Sequence, residues 1–485
     1  MTATLSQHPP HAHDEPTTKN RWWILVIVAL TQLVVVLDGT IVNIALPAAQ
    51  ESIGLSDLER QWVVTAYALS FGALLLLGGR IADYWGRKRT FIVGMIGFGI
   101  ASGYGGLIHS GTELIIARGL QGVFAALMAP AALAILTTTF PGGKDRITAF
   151  AVFGSIAGAG AGVGLVLGGV LTEFASWRWC LLVNVPVVII AVIAGAFLLT
   201  ESRADGDKTY DWIGAVLVIL GLGALVYGFT RAEHGWGHAD VIGFISGGVV
   251  LLALFVYSQT KVAHPLLPLR VVKHRVRAGA LLLQAIAGTV MIGAMLYLTL
   301  HLQIVLAFSP LEAGLASLPL TVVIGIVAPI LAKLLPRTGP RVIMIIGPVV
   351  GAVAMVYLSR LTVDGSYWVQ VFPALALLGV GMAMMFVPMQ NLALVGVEPH
   401  DAGVASAATN AAMQIGGSIG LAIFTSVYAS ASTGGMGLDA LVDGYSAAFI
   451  ATAVALVVGM VVAIVCIRGT KDELMPSGEG VVHMG

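Results

Sequence analysis

Fourteen apolar segments, each long enough to cross a bilayer, follow one another along the 485 residues of this chain. A membrane-spanning helix needs about 20 mostly apolar residues, because the bilayer core offers no water to an unpaired backbone group. The polar connections between the segments are too short to form a separate soluble domain. We therefore predict an all-α integral membrane protein with 14 transmembrane helices, near residues 22–47, 60–81, 90–109, 112–137, 146–172, 178–199, 210–230, 240–260, 276–304, 311–335, 341–361, 367–395, 402–428 and 443–468.

The composition agrees with a lipid environment. Charged residues make up 10% of the chain, against about 25% in ordinary soluble domains. The formal net charge is zero, which gives no electrostatic basis for binding nucleic acid. The two cysteines follow no metal-binding spacing, and the chain has no phosphate-binding loop of the ATPase type. We expect a monomer in the lipid bilayer, without metal or cofactor and without enzymatic activity.

Lysine and arginine predict the orientation. Twenty of them lie in segments on one side of the predicted spans, and Arg118 lies within a span. The opposite side carries only Arg60, Arg178, Arg231 and Arg360. Because basic residues accumulate on the cytoplasmic side, we expect a multi-pass protein of the bacterial inner membrane with both termini in the cytoplasm.

Two charge-rich stretches, residues 201–211 and 261–277, divide the spans into six, two and six. The loop after span ten, residues 331–342, weakly repeats the Gly- and Arg-rich loop after span two. The repeat predicts two pseudo-symmetric six-helix bundles with two additional central helices, an organisation typical of secondary transporters. The predicted parts are a disordered cytoplasmic tail (1–21), the N-terminal bundle (22–200), the two extra helices (201–262), the C-terminal bundle (263–470) and a cytoplasmic tail (471–485).

The loop after span two combines a carboxylate with several cations. Asp83 lies at a helix end beside Arg87 and Lys88, and Gly79 and Gly86 permit close helix approach and a tight turn. Asp83 can bridge Arg87 or the N-terminus of the next helix. We expect a latch that stabilises one conformation and breaks in another. The alternative is an ordinary cytoplasmic basic loop.

Two ionisable residues lie within the predicted spans at similar depth. Asp38 is about two-thirds along span one, and Arg118 is in the outer part of span four. Charges are costly in a bilayer, so each marks a candidate functional site. We hypothesise that Asp38 binds and releases a proton and that Arg118 is its switchable partner. The alternative is a permanent ion pair that holds the two spans together.

Polar and flexible side chains in span nine form a candidate substrate cavity. Gln284, Gly288, Met291 and Met295 recur at spacings of three and four, and unbranched methionines suit varied apolar ligands. Tyr297 and His301 follow in the same span. The alternatives are plain packing for the methionines and a hydrogen-bonded core position for the histidine.

Two amides lie one helical turn apart in span thirteen. Asn410 and Gln414 need hydrogen-bond partners within the membrane. They either face the central cavity or tie helices together, and the sequence leaves both readings open.

Four segments carry a resemblance to a known family. The loop from Gly79 to Arg89 is similar to the G-x-L-A-D-x-x-G-R-K signature of the major facilitator superfamily. Residues 37–47 (LDGTIVNIALP), 118–122 (RGLQG) and 177–186 (WRW followed by VNVP) resemble motifs of its drug:proton antiporters with fourteen spans. The resemblance covers nearly the whole chain.

Span five resembles the antiporter motif G-x-x-x-G-P-x-x-G-G with one departure. Its glycines are present as Gly160, Gly164, Gly168 and Gly169, but Leu165 replaces the proline and removes a kink site. Glycines four residues apart also predict two flat packing faces. These are formed by Gly154, Gly158 and Gly162, and by Gly160, Gly164 and Gly168.

The resemblance implies a proton-coupled efflux transporter that exports small amphipathic or cationic compounds by alternating access, with the proton gradient as the energy source. Three alternatives stay open: a dedicated exporter of one metabolite, lipid or antibiotic, a proton-coupled importer, and a membrane-embedded sensor or enzyme. The last of these predicts a catalytic cluster or a signalling domain, and the sequence contains neither.

Overall fold

The computed structural model describes residues 20–141, 143–204, 210–232, 235–393, 395–397, 402–432, 437–469 and 471–474. The predicted disordered tail, apart from its last residues, and most of the C-terminal tail lie outside these ranges. Within them, fourteen helices are long and apolar enough to cross a membrane. They are α1 (Arg21–Ile53), α2 (Asp57–Trp85), α3 (Arg87–Leu107), α4 (Gly111–Thr139), α5 (Gly143–Phe174), α6 (Trp179–Leu198), α7 (Trp212–Arg231), α8 (Ala239–Ser258), α9 (Arg275–Val305), α10 (Pro310–Thr338), α11 (Pro340–Leu358), α12 (Tyr367–Ala393), α13 (Gly403–Ala431) and α14 (Leu438–Cys466).

The predicted number and order of spans are confirmed, but several helices extend beyond their apolar segments. Helix α1 continues through Pro47 and ends at Gly54, whose φ of 68° closes the helix in the left-handed conformation. Helix α2 starts after Ser56, whose side chain forms a reciprocal capping box with Glu59. Hydropathy detects only the part of a helix that lies in lipid, whereas the capping residues determine where the helix begins and ends.

Capping boxes also mark the starts of α4 and α10. Ser110 and Glu113 form the capping box of α4, and Ser309 and Glu312 form that of α10. Pro310 occupies the first turn of α10, where its missing N–H has no cost.

The helix contacts obey the predicted duplication. In the first half α1 packs on α5, α2 on α4, α3 on α4 and α3 on α6. In the second half α9 packs on α13, α10 on α12, α11 on α12 and α11 on α14. Adding eight to each helix number converts the first set into the second. The junctions between α2 and α3 and between α10 and α11 also correspond, because each contains one glycine with positive φ, Gly86 and Gly339.

The two halves meet along two symmetry-related seams, α2 against α13 and α5 against α10. At the first seam, a Cβ on Gly72 would lie 2.9 Å from the Cβ of Gln414. At the second, a Cβ on Gly169 would lie 2.7 Å from the carbonyl oxygen of Pro310. Glycine therefore allows close backbone approach at both seams.

The extra helices α7 and α8 pack on each other and lie beside the first seam. Helix α7 contacts α2 and α13, the two helices that form it. The Ser426 hydroxyl of α13 donates to the Phe229 carbonyl of α7 at 2.6 Å. At the other end of the pair, Asp211 caps α7 and accepts from Gln259 at 2.6 Å.

We call the side of the molecule that holds the start of α1 and the end of α14 the terminal side, and the opposite side the far side. At the described glycines, the contacts between α5 and α10 lie toward the far side. A Cβ on Gly162 would lie 3.2 Å from the Thr321 hydroxyl, but those on Gly158 and Gly325, one turn closer to the terminal side, would meet nothing within 4 Å. The halves therefore diverge toward the terminal side along this seam.

Candidate functional site

The carboxylate of Asp38 is the centre of a buried polar network in the N-terminal half. Its Oδ2 accepts from Arg118 at 2.6 Å, and its Oδ1 accepts from Gln121 and Asn184, each at 2.9 Å. The Asp38 residue has no exposed surface. The predicted contact with Arg118 is present, and three donors satisfy the buried charge as burial requires.

Arg118 has anchors other than the aspartate. Its Nε donates to the Val63 carbonyl at 3.2 Å, and its Nη1 also reaches the Gln121 oxygen at 2.9 Å. The guanidinium carbon lies 4.3 Å from the centre of the Tyr67 ring, within the range of a cation–π contact. Arg118 would therefore keep several favourable contacts if Asp38 lost its charge.

Five of the six helices of the first half contribute to this network. Asp38 comes from α1, Arg118 and Gln121 from α4, and Asn184 from α6. Gln121 also donates to Ser102 of α3 at 2.7 Å. Val63 and Tyr67 of α2 complete the set, and all these hydrogen bonds lie within the N-terminal half.

The sequence reasoning missed Gln121 and Asn184 as site residues. Both were visible within the quoted segments 118–122 and 177–186. The spacing of three places Arg118 and Gln121 on one face of α4. Nothing in the spacing indicates that Asn184, 146 positions from Asp38, reaches the same carboxylate.

In the loop after α2, Asp83 pairs with Arg87 at 3.3 Å, one of the two predicted partners. The second predicted partner, the N-terminus of α3, is capped instead by Glu201 from the segment after α6. The Glu201 carboxylate accepts from the backbone N–H groups of Lys88 at 3.1 Å and of Arg89 at 3.3 Å. A carboxylate at this position complements the helix dipole, and the sequence showed no sign of its origin.

Of the two loop glycines, Gly86 has a predicted role and Gly79 does not. Gly86 has a φ of 127°, and a Cβ there would overlap the Glu201 carboxylate, so the tight turn is confirmed. Gly79 is not a close-approach position, because the nearest atom to a Cβ there, on Pro130, is 3.7 Å away. The close approach falls one residue earlier, where Gly78 packs against the backbone of Ala126 in α4. The Lys88 ammonium donates to the Ala196 carbonyl at 2.7 Å.

The glycines of α5 connect the Asp38 helix with the other half. Gly160, Gly164 and Gly168 pack against α1, where a Cβ on Gly164 would overlap the Thr40 hydroxyl. Gly169 instead faces α10. The first predicted flat face is formed only in part, because Gly162 contacts α10 whereas Gly154 and Gly158 have nothing within 4 Å. Helix α5 is continuous from Gly143 to Phe174 with Leu165 in place of the motif proline.

The span-nine residues predicted to line a cavity are mostly enclosed. Gln284, Tyr297 and His301 are buried, and Met291 and Met295 pack against the main apolar core. Their helix lies on α13, with Gly288 against the backbone there. These five residues are therefore in packing positions in this conformation.

His301 does not have the hydrogen-bonded core position that was one reading of the sequence. Neither ring nitrogen has a hydrogen-bond partner among the described residues. The ring lies edge-on to Tyr445 at 6.3 Å. The Tyr297 hydroxyl, in contrast, is 2.8 Å from that of Thr425.

The two amide side chains of α13 have different environments. Asn410 is exposed and donates to the Ser406 carbonyl of its own helix at 3.2 Å. Gln414 lies at the seam with α2, against Gly72. Gln414 thus contacts the opposite half, whereas Asn410 has no hydrogen bond to another helix within the described part of the chain.

A cavity of about 500 Å³ opens between the two halves on the far side. We call it the far-side cavity, and none of the seven predicted cavity residues lines it. Its lining includes residues of α1, α2, α9, α10, α13 and α14. The lining residues are Pro47, Ala48, Gln50, Glu51, Asp57, Arg60, Gln303, Ile304, Phe308, Pro310, Tyr428, Leu441 and Tyr445.

Residues 28–421 match the family model described as Major Facilitator Superfamily. The chain belongs to the Major Facilitator Superfamily. It is 42% identical over 95% of its length to the puromycin resistance protein of Streptomyces alboniger, covering 94% of that protein. It is 36% identical to the cephamycin export protein of Amycolatopsis lactamdurans, covering 89% of each chain. It is 33% identical to the tetracenomycin C resistance and export protein of Streptomyces glaucescens, covering 86% of this chain and 80% of that one.

Two solved transporter structures have the same fold as this chain. A nucleoside transporter aligns with a TM-score of 0.65 at 14% identity, covering 93% of this chain and all of that one. A peptide transporter described as auto-inhibited aligns with a TM-score of 0.66 at 16% identity, covering 93% and 98%. Identities this low bear on the fold alone. Within this fold, the hydrogen bonds of Asp38 lie in the first of the two duplicated bundles.

Proposed function

We propose that this protein is a proton-coupled efflux transporter that exports small amphipathic drugs or antibiotics across the bacterial cell membrane. The named relatives support export, because resistance to or export of puromycin, cephamycin and tetracenomycin C is what their names state. The buried contact between Asp38 and Arg118 is the observation that carries proton coupling. We place the terminal side in the cytoplasm, where the positive-inside rule puts the basic loops.

The divergence of α5 and α10 supports alternating access. With the terminal side in the cytoplasm, this conformation is open inward, and the far side is closed by contacts between the halves. The Leu311 N–H of α10 donates to the Glu173 carboxylate at 3.1 Å, and Gln303 of α9 donates to the Ile44 carbonyl of α1 at 3.0 Å. Rocking of the halves would break these contacts and open the opposite side.

In our proposal Asp38 carries the proton between the two conformations. The carboxylate has no exposed surface in the inward-open form and is held by three donors, so proton exchange requires another conformation in which water reaches it. Arg118 keeps Val63, Gln121 and the Tyr67 ring as partners when Asp38 is neutral. The network therefore accommodates both the charged and the neutral form of Asp38, because the Arg118 guanidinium has partners in each case.

Helix α5 is the physical link between the protonation site and the rocking motion. It packs on α1 through Gly164 and on α10 through Gly169. Such tight glycine contacts transmit displacement, because neither surface has space to yield. We propose that a change at Asp38 shifts α1 and thereby alters the seam between α5 and α10.

A dedicated exporter of one antibiotic is the second candidate. The relatives described above are each named for a single compound. A strain that expresses this protein should be grown against a panel of chemically different antibiotics and dyes. Resistance to several classes favours multidrug export, and resistance to one class favours the dedicated exporter.

Transport in proteoliposomes with an imposed pH gradient tests the proposal directly. We expect gradient-dependent movement of a fluorescent amphipathic cation against the proton flow, lost in Asp38→Asn and retained in the matched variant Asp364→Asn, which lies in an exposed loop. Unchanged transport by Asp38→Asn would exclude its coupling role. Movement in the same direction as protons would indicate an importer, and no gradient-dependent movement of several substrates would exclude antiport.

A further inference from the structure

The base of the far-side cavity is a group of stacked tyrosines. Tyr428 and Tyr445 lie with ring centres 5.6 Å apart and planes inclined by 16°. Tyr297 packs behind them, 5.5 Å from Tyr428 and 6.0 Å from Tyr445. Because buried rings supported on several sides lose little entropy on binding, this base suits a flat aromatic ligand.

The wall contributed by the N-terminal half is charged. Arg60 is 6% exposed and donates through Nη1 to the Gln50 oxygen at 2.6 Å, with the Asp57 carboxylate at 3.0 Å. Its buried Nε has no hydrogen-bond partner among the described residues. Because the Nε also has no accessible surface, the part of Arg60 that lines the cavity is the rest of the side chain, which Gln50 and Asp57 hold in place.

The charges of the cavity do not cancel. Arg60 balances Asp57, with which it pairs. Glu51 is exposed at the cavity and forms no ion pair with a described cation. The cavity therefore has one net negative charge, and low-dielectric walls strengthen its attraction for a cation.

We propose that the far-side cavity is a second ligand site, which holds an aromatic monocation at the far side while the halves meet there. The aromatic group lies against Tyr428 and Tyr445, and the cationic group lies near Glu51. The identity of the ligand as an exported compound rests on the proposed function. Because both halves form the walls, the site exists only while the halves meet on the far side, and their separation would take it apart.

Equilibrium binding without a pH gradient tests the site separately from transport. The probe is dansylcadaverine, a fluorescent aromatic monocation, and its neutral comparator is the N-acetyl derivative, both measured on the purified protein in lipid nanodiscs. In Glu51→Gln we expect about three- to fivefold weaker binding of the cation, the range of an exposed ion pair, and unchanged binding of the neutral probe. Asp364→Asn, an exposed acidic position that does not line the cavity, should bind both probes as the natural protein does.

The aromatic base is tested with a matched pair of substitutions. Tyr428→Leu removes the stacked ring, and we expect it to weaken the binding of both probes about fivefold. Tyr428→Phe keeps the ring and should bind both normally. Unchanged affinities in Tyr428→Leu and Glu51→Gln would overturn the proposal, as would an equal loss of both probes in Glu51→Gln.

Photolabelling locates the probe independently of any substitution. A diazirine analogue of the ammonium probe is expected to label peptides that contain Tyr428 or Tyr445. Labelling confined to the terminal-side parts of α5 and α10 would overturn the second site. Binding and labelling as expected without gradient-driven transport would contradict the proposed function and leave the second site standing.

Discussion

At the scale of single residues, the decisive feature is that hydrogen bonds from three side chains satisfy the buried Asp38 carboxylate. One guanidinium and two amides donate to it, and the residues that supply them are distant in the sequence. A buried ion pair is by itself weak evidence for a stabilising role, because desolvation offsets its attraction. The contacts that Arg118 keeps without Asp38 are therefore more informative about function than the pair itself.

A double substitution separates the coupling role from the permanent ion pair. Asp38→Asn removes the counter-charge of a buried guanidinium that keeps its other partners, so we expect a loss of about 1–3 kcal/mol of stability. Adding Arg118→Gln removes the unpaired charge and should recover much of that loss in thermal unfolding. Proton-driven transport should stay absent in both variants, and its return in the double variant would mean that the pair is only structural.

Two buried asparagines provide a second residue-scale prediction. Asn184→Leu removes a donor from the Asp38 carboxylate, so we expect about 1–3 kcal/mol of destabilisation and a lower midpoint of thermal unfolding. Asn43→Leu is the matched control, because the Asn43 oxygen is buried and has no hydrogen-bond partner in the described chain. An equal loss in the two variants would show that Asn184 does not support the carboxylate.

At the scale of helices, glycine determines which surfaces come together. Helix α5 uses one glycine face for α1 and two other glycines, Gly162 and Gly169, for α10. The continuous course of α5 shows that the missing proline at Leu165 does not prevent either contact. The prediction that the face of Gly154, Gly158 and Gly162 packs along its full length was therefore wrong. The helices diverge there, so a Cβ on Gly154 or Gly158 would have no neighbour within 4 Å.

Alanine substitutions in α5 test which of its glycines are in close contact with another helix. Gly164→Ala would push a methyl group into Thr40 of α1, and we expect about 1–3 kcal/mol of destabilisation together with reduced transport. Gly158→Ala has open space and a better helix former, so its stability should equal or slightly exceed that of the natural protein. Thermal unfolding and substrate efflux of the two variants provide the measurements. Equal behaviour would contradict the packing account.

At the scale of the whole molecule, the two seams are unequal. The seam between α2 and α13 is flanked by α7, whereas that between α5 and α10 opens toward the terminal side. Gly158 and Gly325 lie one turn beyond the last contact on α5 and α10 respectively. They therefore face the gap between the halves, which we propose is the substrate cavity open to the cytoplasm.

Cysteine labelling tests orientation and access together. In a background without the native cysteines, a membrane-impermeant maleimide added to intact cells should label Ser52→Cys on the far side and not Lys144→Cys on the terminal side. In inverted vesicles it should label Lys144→Cys and also Gly158→Cys and Gly325→Cys, because water fills the gap between α5 and α10. Labelling of Lys144→Cys in intact cells would reverse the proposed orientation, and unreactive glycine positions would indicate a gap filled by lipid.

The sequence by itself determined the number of spans, their order and the duplication, because hydrophobic length and repeated loop patterns are local properties of the chain. It also indicated that Asp38 and Arg118 meet, since two charges at one depth in a membrane favour pairing. The candidate cavity residues of span nine were less predictable. Methionine and tyrosine suit packing and ligand binding equally, and only the neighbouring helix decides between them.

Tertiary structure alone decided the contacts between residues far apart in the chain. Asn184 reaches Asp38 because α6 packs beside α1, and Glu201 caps α3 because the segment after α6 returns to the loop after α2. The far-side cavity likewise needs Glu51 and Arg60 from one half and Tyr428 and Tyr445 from the other. Periodicity and composition describe each helix separately, whereas these sites depend on how the helices are arranged around one another.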